Sequence, residues 1–335
     1  MIKDCFSRLS RSSLSVKRLL FGIALTLGSS FTLGAPQGSP WGADYFPNIN
    51  LVNQDGKNVH FYNDLIKDKV VVINFIFTNC KLSCSLETAR LRHLQTLLGD
   101  RVGRDVFIYS ITIDPANDTP AVLKQYAEKF GVGPGWQFFT GKEADITLLR
   151  RKLGLLSPQD PADQLENHNL SVLIGNEATG RWTKRSLGDN PQVLVNLIGY
   201  QMQNKRIPRQ EQKSYAAARE IRGYSPRGEY LFNTRCSSCH TIGAGHGLGP
   251  DLLQVTSQRD RDWLFRWIKE PDVVLAEKDP IALALYQKFK ELPMPNLQLS
   301  DGEVAALIDY LEKQSRFITK SNESKWLLIS GEKRK

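Results

Sequence analysis

Between residues 45 and 203 the chain alternates short apolar runs with stretches of helical periodicity. Val70-Val71-Val72-Ile73-Asn74-Phe75-Ile76-Phe77 is β-branched and aromatic, which predicts one strand buried on both faces. Residues 80–98 turn helical, with Leu82, Leu86, Ala89, Leu94, Leu97 and Leu98 near one face. A second buried strand follows over Val106–Ile113. Asp118-Thr119-Pro120 then opens a helix reaching Phe130, with Asp or Thr as cap and Pro in the first turn. A short strand over Trp136–Phe139 and a helix over Lys142–Leu153 come next. Leu170–Ile174 and Arg181–Lys184 flank the loop Asn176-Glu177-Ala178-Thr179-Gly180 as a hairpin, and a last helix follows Asn190.

This order predicts an α/β sandwich of thioredoxin type over residues 41–204. Residues 205–225 are polar and charged, with Pro208 and Pro226 near the ends, and read as a linker. As a flexible chain it has an r.m.s. span of about 25 Å, enough for flanking domains to meet. From 226 to 317 the pattern is helical: Trp263, Leu264 and Trp267 share a face, and Ser300-Asp301-Gly302-Glu303 is a capping box opening an amphipathic helix through Leu311. Residues 318–335 read as a basic tail.

The first 35 residues differ. Lys3, Arg8, Arg11, Lys17 and Arg18 precede the apolar run 19–28, and small residues follow up to Ala35, the composition of a secretory signal peptide. An uncleaved anchor is the alternative, but Ser29, Ser30 and Thr32 interrupt the run short of the ~20 apolar residues a span needs. The expected location is the periplasm. The first 18 residues carry five basic and one acidic side chain, so their removal lowers the formal charge from +9 to +5. Basic and aromatic residues do not interleave in a nucleic-acid pattern, so the charge points to an acidic partner or a membrane surface. Removal of Cys5 leaves four cysteines in two pairs.

The downstream pair stands in Cys236-Ser237-Ser238-Cys239-His240, the attachment signature of covalent haem c. One helical turn brings both sulfurs to one porphyrin, and His240 then falls under the iron. Met294, in Leu292-Pro293-Met294-Pro295-Asn296, is the candidate second axial ligand, a thioether on a stiff loop that raises the potential. Gly249-Pro250-Asp251-Leu252 supplies a tight turn with Pro250 expected near His240, and His246 reads as an exposed loop residue. The segment resembles the class I cytochromes c over about 90 residues, which implies an all-α domain with a low-spin His/Met haem for electron transfer.

Cys80 and Cys84 sit one turn apart at a helix start, where the dipole favours thiolates. Two thiolates and one imidazole make a copper site; the same pair can instead form a reversible redox disulfide. His93, nine residues beyond Cys84, falls on the opposite face, and His60 lies in an early exposed hairpin. His168, just before the hairpin strand, is the geometric choice as third copper ligand.

Asn53-Gln54-Asp55-Gly56-Lys57, the strand ending in Phe77-Thr78-Asn79-Cys80, Ser110-Ile111-Thr112-Ile113-Asp114-Pro115, Asp118-Thr119-Pro120 and 125–131 resemble the Sco/SenC family. The resemblance implies a thioredoxin-like copper-binding assembly factor for cytochrome oxidase, with Cys80, Cys84 and His168 as copper ligands. The family usually has Pro after each cysteine and often Asp between them; here the run is Cys80-Lys81-Leu82-Ser83-Cys84-Ser85. Lys81 disfavours a bound cation, which adds weight to thiol–disulfide chemistry.

The combined expectation is an exported copper-binding or thiol-redox factor for respiratory oxidase assembly that carries an electron-transfer haem. Its partners would be the oxidase copper subunit or its assembly factors, and a redox protein. Two alternatives remain: a thiol–disulfide oxidoreductase keeping a partner's copper-ligand cysteines reduced, and a plain haem carrier whose first domain only docks.

Overall fold

The computed structural model describes residues 41–80, 84–157, 159, 171–206 and 227–330. The expected signal segment 1–35, His168, residues 207–225 of the linker and Pro226 lie outside the described residues.

The first domain is thioredoxin-like. Among the described residues its strands are β1 (Asn50–Asn53), β2 (Asn58–His60), β3 (Val70–Ile76), β4 (Phe107–Thr112), β5 (Trp136–Gly141), β6 (Ser171–Asn176) and β7 (Arg181–Ser186). They form one sheet in the order β2-β1-β5-β4-β3-β6-β7. β3, β4 and β5 pair in parallel, whereas β1, β6 and β7 join antiparallel. Helices α1 (Cys84–Leu98), α2 (Pro120–Lys129), α3 (Glu143–Lys152) and α4 (Pro191–Gly199) cover the sheet. β3 is apolar at nearly every position because it faces a core on each side. Val70, Val72 and Ile76 join Leu91, Leu94, Leu123 and Ile198 in one core. Val71, Ile73 and Phe75 join Phe61, Ile146 and Leu149 in the other.

The predicted elements are present, with local differences. The hairpin between β6 and β7 turns through Glu177–Thr179 and closes on Gly180 at φ 65°, the left-handed conformation glycine tolerates. On α1, Leu91 is fully buried and Leu97 is 42% exposed, although the sequence pattern placed Leu97 on the apolar face. Leu91, Leu94 and Leu98 follow the i, i+3, i+7 stripe; Leu97 lies one residue, about 100°, off it.

The second domain is all-helical. Helix α5 (Arg227–Leu231) runs into a wider π-helical turn over Phe232–Cys236. Four short helices follow: α6 (Val255–Gln258), α7 (Arg261–Lys269), α8 (Pro271–Ala276) and α9 (Pro280–Lys288). α5 crosses the last helix, α10 (Asp301–Ser330), so tightly that a Cβ at Gly228 would lie 2.0 Å from the Ala306 carbonyl oxygen. The predicted capping box forms: Ser300 donates both its N–H (2.9 Å) and its hydroxyl (2.8 Å) to Glu303 Oε2. The helix does not stop at Leu311, however. No Gly or Pro occurs from Glu303 to Ser330, and α10 continues through most of the expected basic tail.

The two domains belong to one compact unit. Cys239, Leu248 and Leu292 of the second pack against the core beneath α1 and α2 of the first. Across the contact, Arg90 donates to the Thr234 carbonyl (3.4 Å) and Lys290 to the Glu128 carbonyl (3.2 Å). No described helix is long and apolar enough to cross a membrane.

Candidate functional site

The parallel strands β3 and β4 end side by side, and the loop leaving β3 carries Thr78, Asn79 and Cys80. Asp118 is fully buried beneath it. Its carboxylate accepts the Thr78 backbone N–H at 3.1 Å and the hydroxyls of Thr78 and Thr112 at the two strand ends. The sequence pattern offered Asp118 or Thr119 as the cap of α2. Thr119 takes that role, accepting from the Val122 N–H at 3.4 Å, and frees Asp118 to turn inward. The signal available was Asp118 itself, an acidic residue preceding an already adequate Thr-Pro helix start.

Cys80 is half-buried, with its N–H directed to the Phe77 carbonyl (3.4 Å), and Cys84 opens α1. The Cys84 side chain and His168 lie outside the described residues. One turn into α1, Glu87 is 5% exposed. Burial pushes its carboxyl up to about 8, Arg90 opposes the shift and Cys80 adds to it. His93 is half-buried and lines a small pocket together with Asn233, Thr234, Ser237 and Ser238 of the second domain, and burial lowers its pKa. His60 is exposed, its Nδ1 3.6 Å from Asp64. Among the described residues no three His, Cys, Asp or Glu side chains cluster as a metal site.

The second site is a cavity enclosing about 1440 Å³, part of it open to solvent, with a lining that is mostly apolar. Cys236, Cys239, His240 and Met294, 58 residues apart along the chain, all line it. The π-helical turn ends at Cys236, and the Cys239 and His240 N–H groups both reach back to its carbonyl (3.1 and 3.0 Å). The expected proximity of Pro250 to His240 takes a specific form. His240 Nδ1 sits 2.9 Å from the Pro250 carbonyl, which fixes the ring and leaves Nε2 available to a ligand. A Cβ at Gly249 would come within 2.6 Å of the His240 ring, so glycine permits this approach. Burial lowers the His240 pKa and keeps the imidazole neutral. Burial, with Cys239 adding and Arg235 opposing, pushes the Cys236 thiol up to about 12. Two thiols, a neutral imidazole and a thioether around one apolar chamber are the donor set that covalent haem c requires.

Asp251 organises the loop behind His240, accepting the N–H groups of Gly243 (2.8 Å), Gly245 (2.7 Å) and Leu253 (2.8 Å). His246 is exposed as expected, its Nδ1 accepting the Asp251 N–H at 3.0 Å.

Residues 39–199 match the SCO1/SenC family model, and residues 225–315 match the cytochrome c family model. The chain joins a SCO1/SenC domain to a cytochrome c domain. A SCO1 protein homolog from Bacillus subtilis is 34% identical over 127 residues, covering 37% of this chain and 64% of the relative. A putative copper-binding protein from Stutzerimonas stutzeri is 30% identical over 120 residues, covering 36% of this chain and 56% of the relative. These matches span under two thirds of either relative's length. A solved cytochrome c domain from Pseudomonas putida is 56% identical, covering 27% of this chain and 88% of that one, with a TM-score of 0.26.

The cavity therefore lies in the cytochrome c domain, but its wall does not belong to that domain alone. Ser85, Leu86 and Ala89 of α1 and Phe130 after α2 also line it. Helix α1 is thus shared: it carries Cys84, and Ser85, Leu86 and Ala89 in its first two turns line the cavity.

Proposed function

We propose that this protein is an exported copper-handling and thiol-redox factor for respiratory oxidase assembly, acting in the periplasm, whose haem exchanges electrons with its own Cys80/Cys84 site. One observation carries this reading: α1 starts at Cys84 and lines the haem cavity within two turns. In the cytochrome c domain Cys236 and Cys239 hold the haem, and His240 and Met294 ligate its iron. In the SCO1/SenC domain Cys80, Cys84 and His168 hold copper, the metal named for the Stutzerimonas stutzeri relative. The natural partners are an oxidase copper subunit or its assembly factors.

The haem, when bound, supplies reversible one-electron Fe(III)/Fe(II) chemistry. The protein's residues do the rest. Pro250 and Gly249 orient His240, the Pro-flanked loop presents Met294, and the apolar lining excludes water from the chamber. Asp118 holds the Thr78 end of β3, from which Cys80 projects. A haem held by His240 and Met294 would have a potential well above that of a thioredoxin-type dithiol, about −270 mV, and would so be able to accept electrons from Cys80 and Cys84. The Cys80/Cys84 dithiol is a two-electron donor and a haem would be a one-electron acceptor; copper held by Cys80, Cys84 and His168 would supply electrons singly.

The test is an anaerobic copper titration of the reduced protein, followed by mixing the copper-loaded chain with its haem in the ferric state. One copper per chain and haem reduction at a rate independent of protein concentration are expected. A rate proportional to protein concentration means that electrons pass between molecules. No copper binding, with dithiol-dependent reduction of a disulfide substrate, favours the second reading, a thiol–disulfide oxidoreductase. Lys81 and the missing Pro and Asp around the cysteines are the specific features that support this alternative.

A further inference from the structure

We infer that the SCO1/SenC domain is a functional wall of the haem cavity, shielding the face around Cys239 from external protein redox partners while the two domains are docked. The inference rests on the haem reading above and adds to it a gate on who can reach the haem. Leu86 and Ala89 stand three residues apart on one side of α1, and both line the cavity together with Phe130. From the other side, Cys239, Leu248 and Leu292 press against the core of the first domain. The centre of this contact is apolar. Part-buried Arg90 and exposed Lys290 each donate to a carbonyl of the opposite domain. An apolar contact flanked by polar bonds is the anatomy of a specific protein interface. Here it occupies the side of the haem domain that carries Cys239.

Two consequences follow. A protein donor needs contact with the haem edge, so a covered face slows it far more than it slows a small reductant. Excluding water from the chamber also disfavours the more charged ferric state, so docking raises the haem potential. Opening the contact reverses both effects.

The experiment uses the full-length, haem-loaded chain carrying Cys80→Ser and Cys84→Ser, which removes thiol and copper chemistry from the readout. Covalent haem is first measured by its alkaline pyridine spectrum. A chain recovered without covalent haem overturns the haem reading itself, and the inference with it. In haem-loaded protein, Ala89→Arg is expected to speed reduction of the ferric haem by a reduced small cytochrome several-fold. It should change the rate with ascorbate much less and lower the haem potential. Lys290→Glu, an exposed substitution with little folding risk, should shift all three in the same direction by less. Val273→Arg, at an exposed position on α8, should shift none. Unchanged protein-donor rates and potential in both Ala89→Arg and Lys290→Glu would overturn the inference and leave the haem assignment standing. Should Ala89→Arg not fold, Lys290→Glu alone decides between the two outcomes.

Discussion

Asp118 accepts the backbone N–H of Thr78 at 3.1 Å from 40 residues away in sequence, tying the start of α2 to the end of β3. The same side chain takes the Thr112 hydroxyl, so one buried group ties the end of β4 to the loop leaving β3. Hydrogen bonds to a buried charged group contribute roughly 1.5–3 kcal/mol each, and a lost acceptor strands its donors. Asp118→Ala should therefore destabilise the protein by about 3 kcal/mol in denaturant unfolding. Asp118→Asn, which keeps an acceptor oxygen, should recover part of that loss. Unchanged stability in the Ala variant would mean that water replaces the carboxylate without cost.

The axial assignment predicts a spectroscopic loss. Ferric protein should show a weak thioether-to-iron band in the near infrared, and Met294→Ala should abolish it and lower the haem potential. Persistence of the band in the variant rules out Met294, since Met202, the other methionine beyond Met1, is buried in the SCO1/SenC core.

Copper binding separates the histidines. Cys80→Ser or Cys84→Ser should eliminate tight binding by reduced protein, and His168→Ala should weaken it strongly. His93→Ala should have no effect, because His93 lies nine residues beyond Cys84, on the opposite face of the helix, and lines a small pocket shared with Asn233 and Thr234 of the cytochrome c domain. Equal weakening by the two histidine variants, measured by competition with a Cu(I) chelator, would refute this ligand set.

Asp251 makes the haem loop acid-sensitive. Burial pushes its pKa up, but the N–H groups of Gly243, Leu253 and Gly245 outweigh that and leave it below the ordinary carboxylate value. A depressed folded-state pKa means that its stabilisation is fully present above the unfolded value of about 3.9 and disappears as pH falls through the folded value. Asp251→Asn should thus be less stable than wild type at pH 7, with the gap closing below about pH 4. A gap independent of pH would show that the loop does not depend on the charge.

The crossing of α5 and α10 predicts a packing defect. With a Cβ at residue 228 only 2.0 Å from the Ala306 oxygen, Gly228→Ala forces the helices apart. The expected cost is about 1–3 kcal/mol, read as a lower thermal midpoint of the haem-loaded protein.

What the sequence determined by itself about this protein is what local spacing encodes. Cys236, Cys239 and His240 fall within one turn, and Ser300 and Glu303 cap α10 with bonds between neighbours. The apolar run of β3 announces a strand buried on both faces, because alternate residues of a strand must enter two cores. Tertiary structure decided everything that depends on which surfaces meet. Asp118 reads as a helix cap until the ends of β3 and β4 surround it, and Leu97 reads as core until Leu91 takes the buried position. Leu86 and Ala89 read as ordinary positions on an amphipathic helix, yet they line a cavity built by residues more than 140 positions later. The periodicity of a helix states that it has an apolar face; only the packed chain states what that face covers.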